Sequence, residues 1–132
     1  VAGYGNRIVT LRFPEISETD PDGNVTDMIF VSLKNPMVVP PGVLKPPGKT
    51  KLGEDGLPVD FDAATADMNV ILSRLIVAWH AYDADDCRVD YNGDPTDQEL
   101  LGLPATPELV ARLPQTITLR MAQLVGEAVN PP

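Results

Sequence analysis

His80 and Cys87 are the only histidine and the only cysteine in the 132 residues. They stand beside a run of carboxylates, Asp83, Asp85, Asp86, Asp90 and Asp94. A single imidazole works as a general base, proton shuttle or metal ligand only when partners converge on it. No sequence pattern supplies such partners, so His80 reads as a surface or hydrogen-bonded histidine. A nucleophilic cysteine needs a base or a stabilised thiolate. The acidic neighbours of Cys87 discourage a thiolate, and it reads as incidental. The run from Asp83 to Asp94 begins like a calcium-binding loop, with Asp83 and Asp85 at the first two ligand positions. The pattern then fails. Cys87 occupies the third ligand place, Arg88 replaces the turn glycine, and the loop ends in Asp rather than Glu. A solvated acidic loop is the expectation. Gly3, Gly5 and Asn6 lack the preceding strand and following helix of a nucleotide-binding loop. No Walker pattern, paired catalytic carboxylates or Cys-x-x-Cys occurs. Neither an enzyme nor a bound cofactor is expected.

Composition narrows the partners. The formal net charge is −9 and the sequence pI is near 4.3. Nucleic acid and anionic membranes repel such a chain. The charge is uneven: residues 1–52 carry six Lys/Arg against five Asp/Glu, and residues 53–132 carry four against fourteen. One cysteine permits no internal disulfide, which suits a reducing compartment. No apolar run approaches the roughly 18 residues of a membrane span. The first residues, VAGYGNRIVTLRF, hold no apolar h-region, so no secretory signal is expected.

The elements that must position these residues follow from periodicity. Residues 62–83 place Met68, Ile71, Leu72, Leu75, Ile76, Trp79 and Tyr82 at the i, i+3, i+4 spacing of one helical face. Asp67, Ser73, Arg74 and His80 fall on the other side. The spacing predicts one long helix with Asp62 at its cap and Trp79 buried. Residues 6–13 alternate, with Val9, Leu11 and Phe13 on the core face. Residues 28–34 form a second strand, expected to pair with the first as an antiparallel hairpin across a polar loop. Thr96-Asp97-Gln98-Glu99 predicts a helical turn over 97–101. Thr106-Pro107-Glu108 opens a helix through Leu113, which Pro114 breaks. A last helix runs to about Val129 with Ile117, Met121, Leu124, Val125 and Ala128 on one face, and Asn130-Pro131-Pro132 stops it. The fold class is α+β: an N-terminal β-hairpin or small antiparallel sheet over 1–34, a Pro/Gly-rich arm over 35–61, and a bundle of three to four helices over 62–132, in a single domain.

The arm is the segment marked for partner binding. Asn35 to Pro58 carries many of the 14 prolines, and Met37-Val38-Val39 could make a short strand. Composition alone describes a solvated linker. Its length exceeds the ~12–15 residues usual for a connection inside a compact domain, which predicts that it is either disordered or used. Met37, Val38, Val39, Val43 and Leu44 offer apolar anchors. Lys45, Lys49 and Lys51 offer charges that match an acidic surface on another copy. The arm is therefore expected to lie across a neighbouring subunit or partner.

Several segments carry a family resemblance: Asn35-Pro36 with Pro40-Pro41, Trp79 in LIVAWHAYDADD, Leu103-Pro104 with Thr106-Pro107-Glu108, Leu113-Pro114, and the ending VGEAVNPP. Their order over residues 3–45 and 62–131 resembles tail assembly chaperones of siphoviruses that infect actinobacteria. The resemblance implies a non-enzymatic protein of the host cytoplasm during infection. Its implied partners are the tape measure protein, which it would bind and keep soluble, and tail tube subunits, which it would help recruit. Self-association is also expected. The alternative is a structural virion protein, a minor tail, head–tail connector or decoration subunit that locks onto neighbours through its extended arm.

Overall fold

The computed structural model describes residues 2–47 and 61–129, without the side chains of Phe61 and Asp62. Asp62 as a cap, Lys49, Lys51 and the stop at 130–132 lie outside these described residues. The fold is α+β. A three-stranded antiparallel sheet, in the order β1 (Ile8–Arg12), β4 (Phe30–Lys34), β5 (Ile76–His80), shares one core with helices α1 (Phe61–Leu75), α2 (Pro107–Val110) and α3 (Gln115–Val129).

The first two long strands follow the expected alternation. Val9 opposes Leu33 and Leu11 opposes Val31, on the face turned to the helices. Thr10 opposes Ser32 on the open face, where their hydroxyls hydrogen-bond at 2.7 Å. The ladder continues through the Phe13 amide, which donates to the Ile29 carbonyl at 2.9 Å. The polar loop between the strands is itself folded. A 3-10 turn over Pro14–Ile16 leads into a short hairpin, β2 (Glu18–Thr19) and β3 (Val25–Asp27). Ser17 anchors its base: its hydroxyl donates to the Phe13 carbonyl at 2.7 Å and accepts from the Ile29 amide at 2.9 Å.

The long helix expected over 62–83 divides. α1 ends at Leu75, and the chain passes directly into β5, which pairs antiparallel with β4. Leu33 opposes Ile76 while Ser32 opposes Ala78, so Val77 is an extra residue, a β-bulge. In a regular strand Ile76 and Trp79 would face opposite ways. The bulge turns both to the core, and the i, i+3 spacing read as helical is satisfied by a strand. Trp79 is buried as expected, and its indole N–H donates to the Gly102 carbonyl at 3.1 Å. Asp67, expected on the polar side, is buried as well.

Three smaller expectations change. Residues 97–101 are not helical; Leu100 bridges Tyr82, with the Asp83 amide donating to the Glu99 carbonyl and the Leu101 amide to the Ala81 carbonyl. Met37-Val38-Val39 makes no strand, because Asn35 caps a 3-10 turn over Pro36–Val38 by accepting from the Met37 amide at 3.0 Å. α2 stops at Val110, though successive turn bonds carry the backbone to Leu113. Its cap is as read: the Thr106 hydroxyl accepts from the Leu109 amide at 3.2 Å. α3 matches its expected span and buries Ile117, Met121 and Val125.

The described part of the arm folds back on its own domain. A 3-10 turn over Pro41–Leu44 lies against α1, and the Pro36–Val38 turn lies against α3. Arg74 of α1 donates to the carbonyls of Val43 and Lys45, at 3.3 and 2.9 Å. Val39, Val43 and Leu44 pack on the core. These three residues are half-buried against their own chain, beside α1 and α3. Val38 is half-buried, whereas Met37 and Lys45 are exposed.

Candidate functional site

Two hairpins stand on either side of a groove of about 810 Å3 that is open to solvent. The first wall is β2–β3. The second is the acidic loop, closed by a bridge between Val89 and Pro95. Their tips repeat one design. In Asp20-Pro-Asp-Gly-Asn24 the Asp20 carboxylate accepts from the amides of Asp22 and Asn24, at 3.0 and 2.9 Å. In Asp90-Tyr-Asn-Gly-Asp94 the Asp90 carboxylate accepts from the amides of Asn92 and Asp94, at 2.8 and 3.0 Å. Aspartate side chains commonly mimic a backbone turn in this way. The fourth residue of each tip needs a positive φ, +87° at Gly23 and +85° at Gly93, which glycine adopts without strain.

The base of the second wall is held by ion pairs. Asp86 takes Arg88 in a two-pronged bond of 2.7 and 2.9 Å and accepts from the Glu99 amide at 2.9 Å. Those donors hold the Asp86 carboxyl below the usual range, Arg88 first, and the carboxylate in turn raises the Arg88 guanidinium. Asp83 is buried and accepts from Arg112 at 2.9 Å and from the Asp85 amide at 2.9 Å. The acidic loop is solvent-exposed over residues 87–100, as expected, and its aspartates also organise its own backbone. Among the described residues no three metal-ligating side chains converge.

His80, Asp27 and Tyr82 meet where the groove joins the sheet. His80 and Tyr82 are two residues apart, which on extended backbone puts both on one side. Asp27, at the end of β3, accepts from the Tyr82 hydroxyl at 2.7 Å through one oxygen and lies 2.6 Å from His80 Nε2 through the other. An ionised carboxylate only accepts, so the imidazole donates from Nε2. The Tyr82 hydroxyl and then His80 hold the Asp27 carboxyl below its ordinary value. The Tyr82 hydroxyl is pushed up, first by its bond to Asp27, then by burial and by the charges of Asp27, Asp97 and Glu18. The His80 ring also lies over Phe30 and edge-on to Tyr82, with centroids 6.4 and 5.5 Å away. Both oxygens of Asp27 are engaged, so the cluster is a tie between the first wall and the sheet. His80 is hydrogen-bonded, as read from the sequence.

Adjoining the groove is a smaller open pit of about 200 Å3, lined by Ile16, Ile29, Ala81, Tyr82, Pro114 and Ile117 among others. Ile16 is 40% exposed and Val89 on the opposite wall 59% exposed. Cys87 also lines the groove and is exposed, with no disulfide partner. The arm residues marked for partner binding do not line it. Asp27, Tyr82, Glu18 and Asp97 do, and none was marked as a site residue from the sequence. Two signals point to them: the repeated Asp-x-Asp/Asn-Gly turn, and the β-branched and aromatic run IVAWH. No protein-family profile, curated protein or solved structure matches this chain.

Proposed function

We propose that this protein is a non-enzymatic tail assembly chaperone of a siphovirus, one that binds the tape measure protein, keeps it soluble and helps recruit tail tube subunits. The observation that carries the reading is the groove: an open trough lined by both apolar side chains and carboxylates. Such a surface suits a segment of another chain better than a small molecule, because extended or helical peptides present several side chains at once. A strongly negative net charge also keeps many copies apart in solution while a partner is being coated. The alternative, a structural virion protein, uses the arm as its lock; Val39, Val43 and Leu44 of that arm are half-buried against their own core. A pull-down from infected cells tests the proposal. Recovery of the tape measure protein, with the chain missing from purified virions by mass spectrometry, is the expected result. Stoichiometric presence in virions would overturn it in favour of the structural reading.

A further inference from the structure

We infer that the groove between the two hairpins is a docking site for a cationic amphipathic segment of a partner protein, with one aliphatic side chain of that segment seated in the pit. The inference rests on the chaperone reading only for the identity of the partner; the chemistry of the segment follows from the walls themselves.

Three observations lead to it. The pit, about 200 Å3, adjoins the groove and shares Ile16, Ile29, Tyr82 and Gln98 with it. Ile117, fully buried, lies behind its wall, so an apolar group seated there would lie over the edge of the hydrophobic core. Second, Ile16 and Val89 leave apolar surface exposed on opposite walls, where a partner's apolar stripe would cover both.

Charge then selects the occupant. The groove is lined by Glu18, Asp27, Asp86 and Asp97 against a single cation, Arg88, which Asp86 already neutralises. Asp27 is engaged by His80 and Tyr82. Among the described residues, the side chains of Glu18 and Asp97 hold no hydrogen bond or ion pair. One stands on each wall, and both are near enough to Tyr82 to raise its hydroxyl. An acidic segment would be repelled from both walls, while a lysine or arginine on either side of an aliphatic anchor would meet a free carboxylate. Complementarity of this kind fixes partner choice and on-rate more than final affinity.

The test uses the full chain and two labelled synthetic peptides of equal length, an amphipathic Leu/Lys helix and its Leu/Glu counterpart, followed by fluorescence anisotropy. The Leu/Lys peptide should bind and the Leu/Glu peptide should not. The double variant Glu18→Gln, Asp97→Asn should weaken binding about tenfold and flatten its salt dependence. Ala84→Leu, which fills the pit from its rim, should weaken it at every salt concentration. Glu108→Gln with Glu127→Gln, carboxylates away from the groove, should change nothing. Equal weakening by the groove pair and the control pair would reduce the effect to general attraction and overturn the inference. So would self-association abolished by the groove variants, which would make the occupant a second copy. Circular dichroism confirms that each variant is folded. Tape measure capture unaffected by the groove variants would sink the groove assignment and leave the chaperone reading intact. Peptide binding that meets every expectation, without tape measure capture, would do the reverse.

Discussion

Residues 61–75 and 76–82 share one apolar spacing and adopt different structures. In α1, Met68, Ile71, Leu72 and Leu75 recur at helical intervals and turn inward with the helix. In β5, Ile76 and Trp79 keep the same three-residue interval, but a bulge at Val77 brings them to one face. Spacing reports which residues are buried and leaves open which backbone buries them. Composition separates the two. α1 carries three Ala, two Leu and one Met, good helix formers, and β5 reads Ile-Val-Ala-Trp-His, dominated by residues that suit a pleated surface. The consequence reaches the candidate site. On a helix, His80 and Tyr82 would diverge by about 200° at 100° per residue; on extended backbone they converge on Asp27.

The largest expected effect tests whether β5 belongs to the core. Trp79 is 7% exposed, opposes Val31 and holds the Gly102 carbonyl. Trp79→Ala should cost about 3–5 kcal/mol in urea unfolding. Trp79→Phe keeps most of the bulk and loses the N–H bond, so about 1 kcal/mol is expected beyond any packing change. An alanine variant as stable as the parent would remove β5 from the core.

The end of the extended segment gives the next effect. Asp83 fixes where the chain leaves the sheet and begins the second wall, through Arg112 and the Asp85 amide. Breaking a fully buried ion pair costs about 3–5 kcal/mol. Arg112 is half-exposed and regains water when released, so Asp83→Ala should cost less, about 2 kcal/mol. A cost within error of zero would mean that the wall stands without this anchor.

The convergence of His80 and Tyr82 on Asp27 predicts a pH dependence. The folded Asp27 carboxyl lies below its ordinary value of 3.8. The stability it contributes is therefore complete above about pH 3.8 and is lost as pH falls through the folded value. Asp27→Asn should cost about 1 kcal/mol at neutral pH, allowing for the solvent screening of a carboxylate that is one-third exposed. Below the folded value the two proteins should approach equal stability. A difference that persists unchanged in acid would assign the loss to packing instead of charge.

Much of the fold was legible because its signals are local. The alternation in Val9, Leu11 and Phe13, the Thr106 cap and the face of α3 each depend on a few neighbouring residues. The Ile76–His80 strand was legible in composition but not in spacing, since its bulge becomes visible only once β4 supplies the register. The candidate site was the least legible part. Asp27 and Tyr82 lie 55 residues apart, and their meeting depends on both the hairpin excursion and the strand. The contacts of the described part of the arm were hard to read for a similar reason. Val43 and Leu44 are equally good anchors for a partner or for α1, and their packing on the core beside Arg74, which binds the Val43 and Lys45 carbonyls, depends on residues 29 and 31 positions away.

The smallest expected effect decides most directly between helix and strand at 76–80, because its sign differs. Ala78 is half-buried on the open face of the sheet, opposite Ser32 and in line with Thr10. Valine there has room to grow toward solvent and meets cross-strand neighbours instead of a packed core. In a strand, a β-branched residue fits the pleat and its neighbours better than alanine, so Ala78→Val should stabilise by a few tenths of a kcal/mol. In a helix the same substitution restricts the side chain against the preceding turn and should destabilise by roughly 0.5 kcal/mol. For a domain of this size the strand outcome corresponds to a melting temperature about 1–2 °C higher. Paired thermal melts of the two proteins resolve that difference. A lower melting temperature for Ala78→Val would return residues 76–80 to the helix and separate His80 from Tyr82 again.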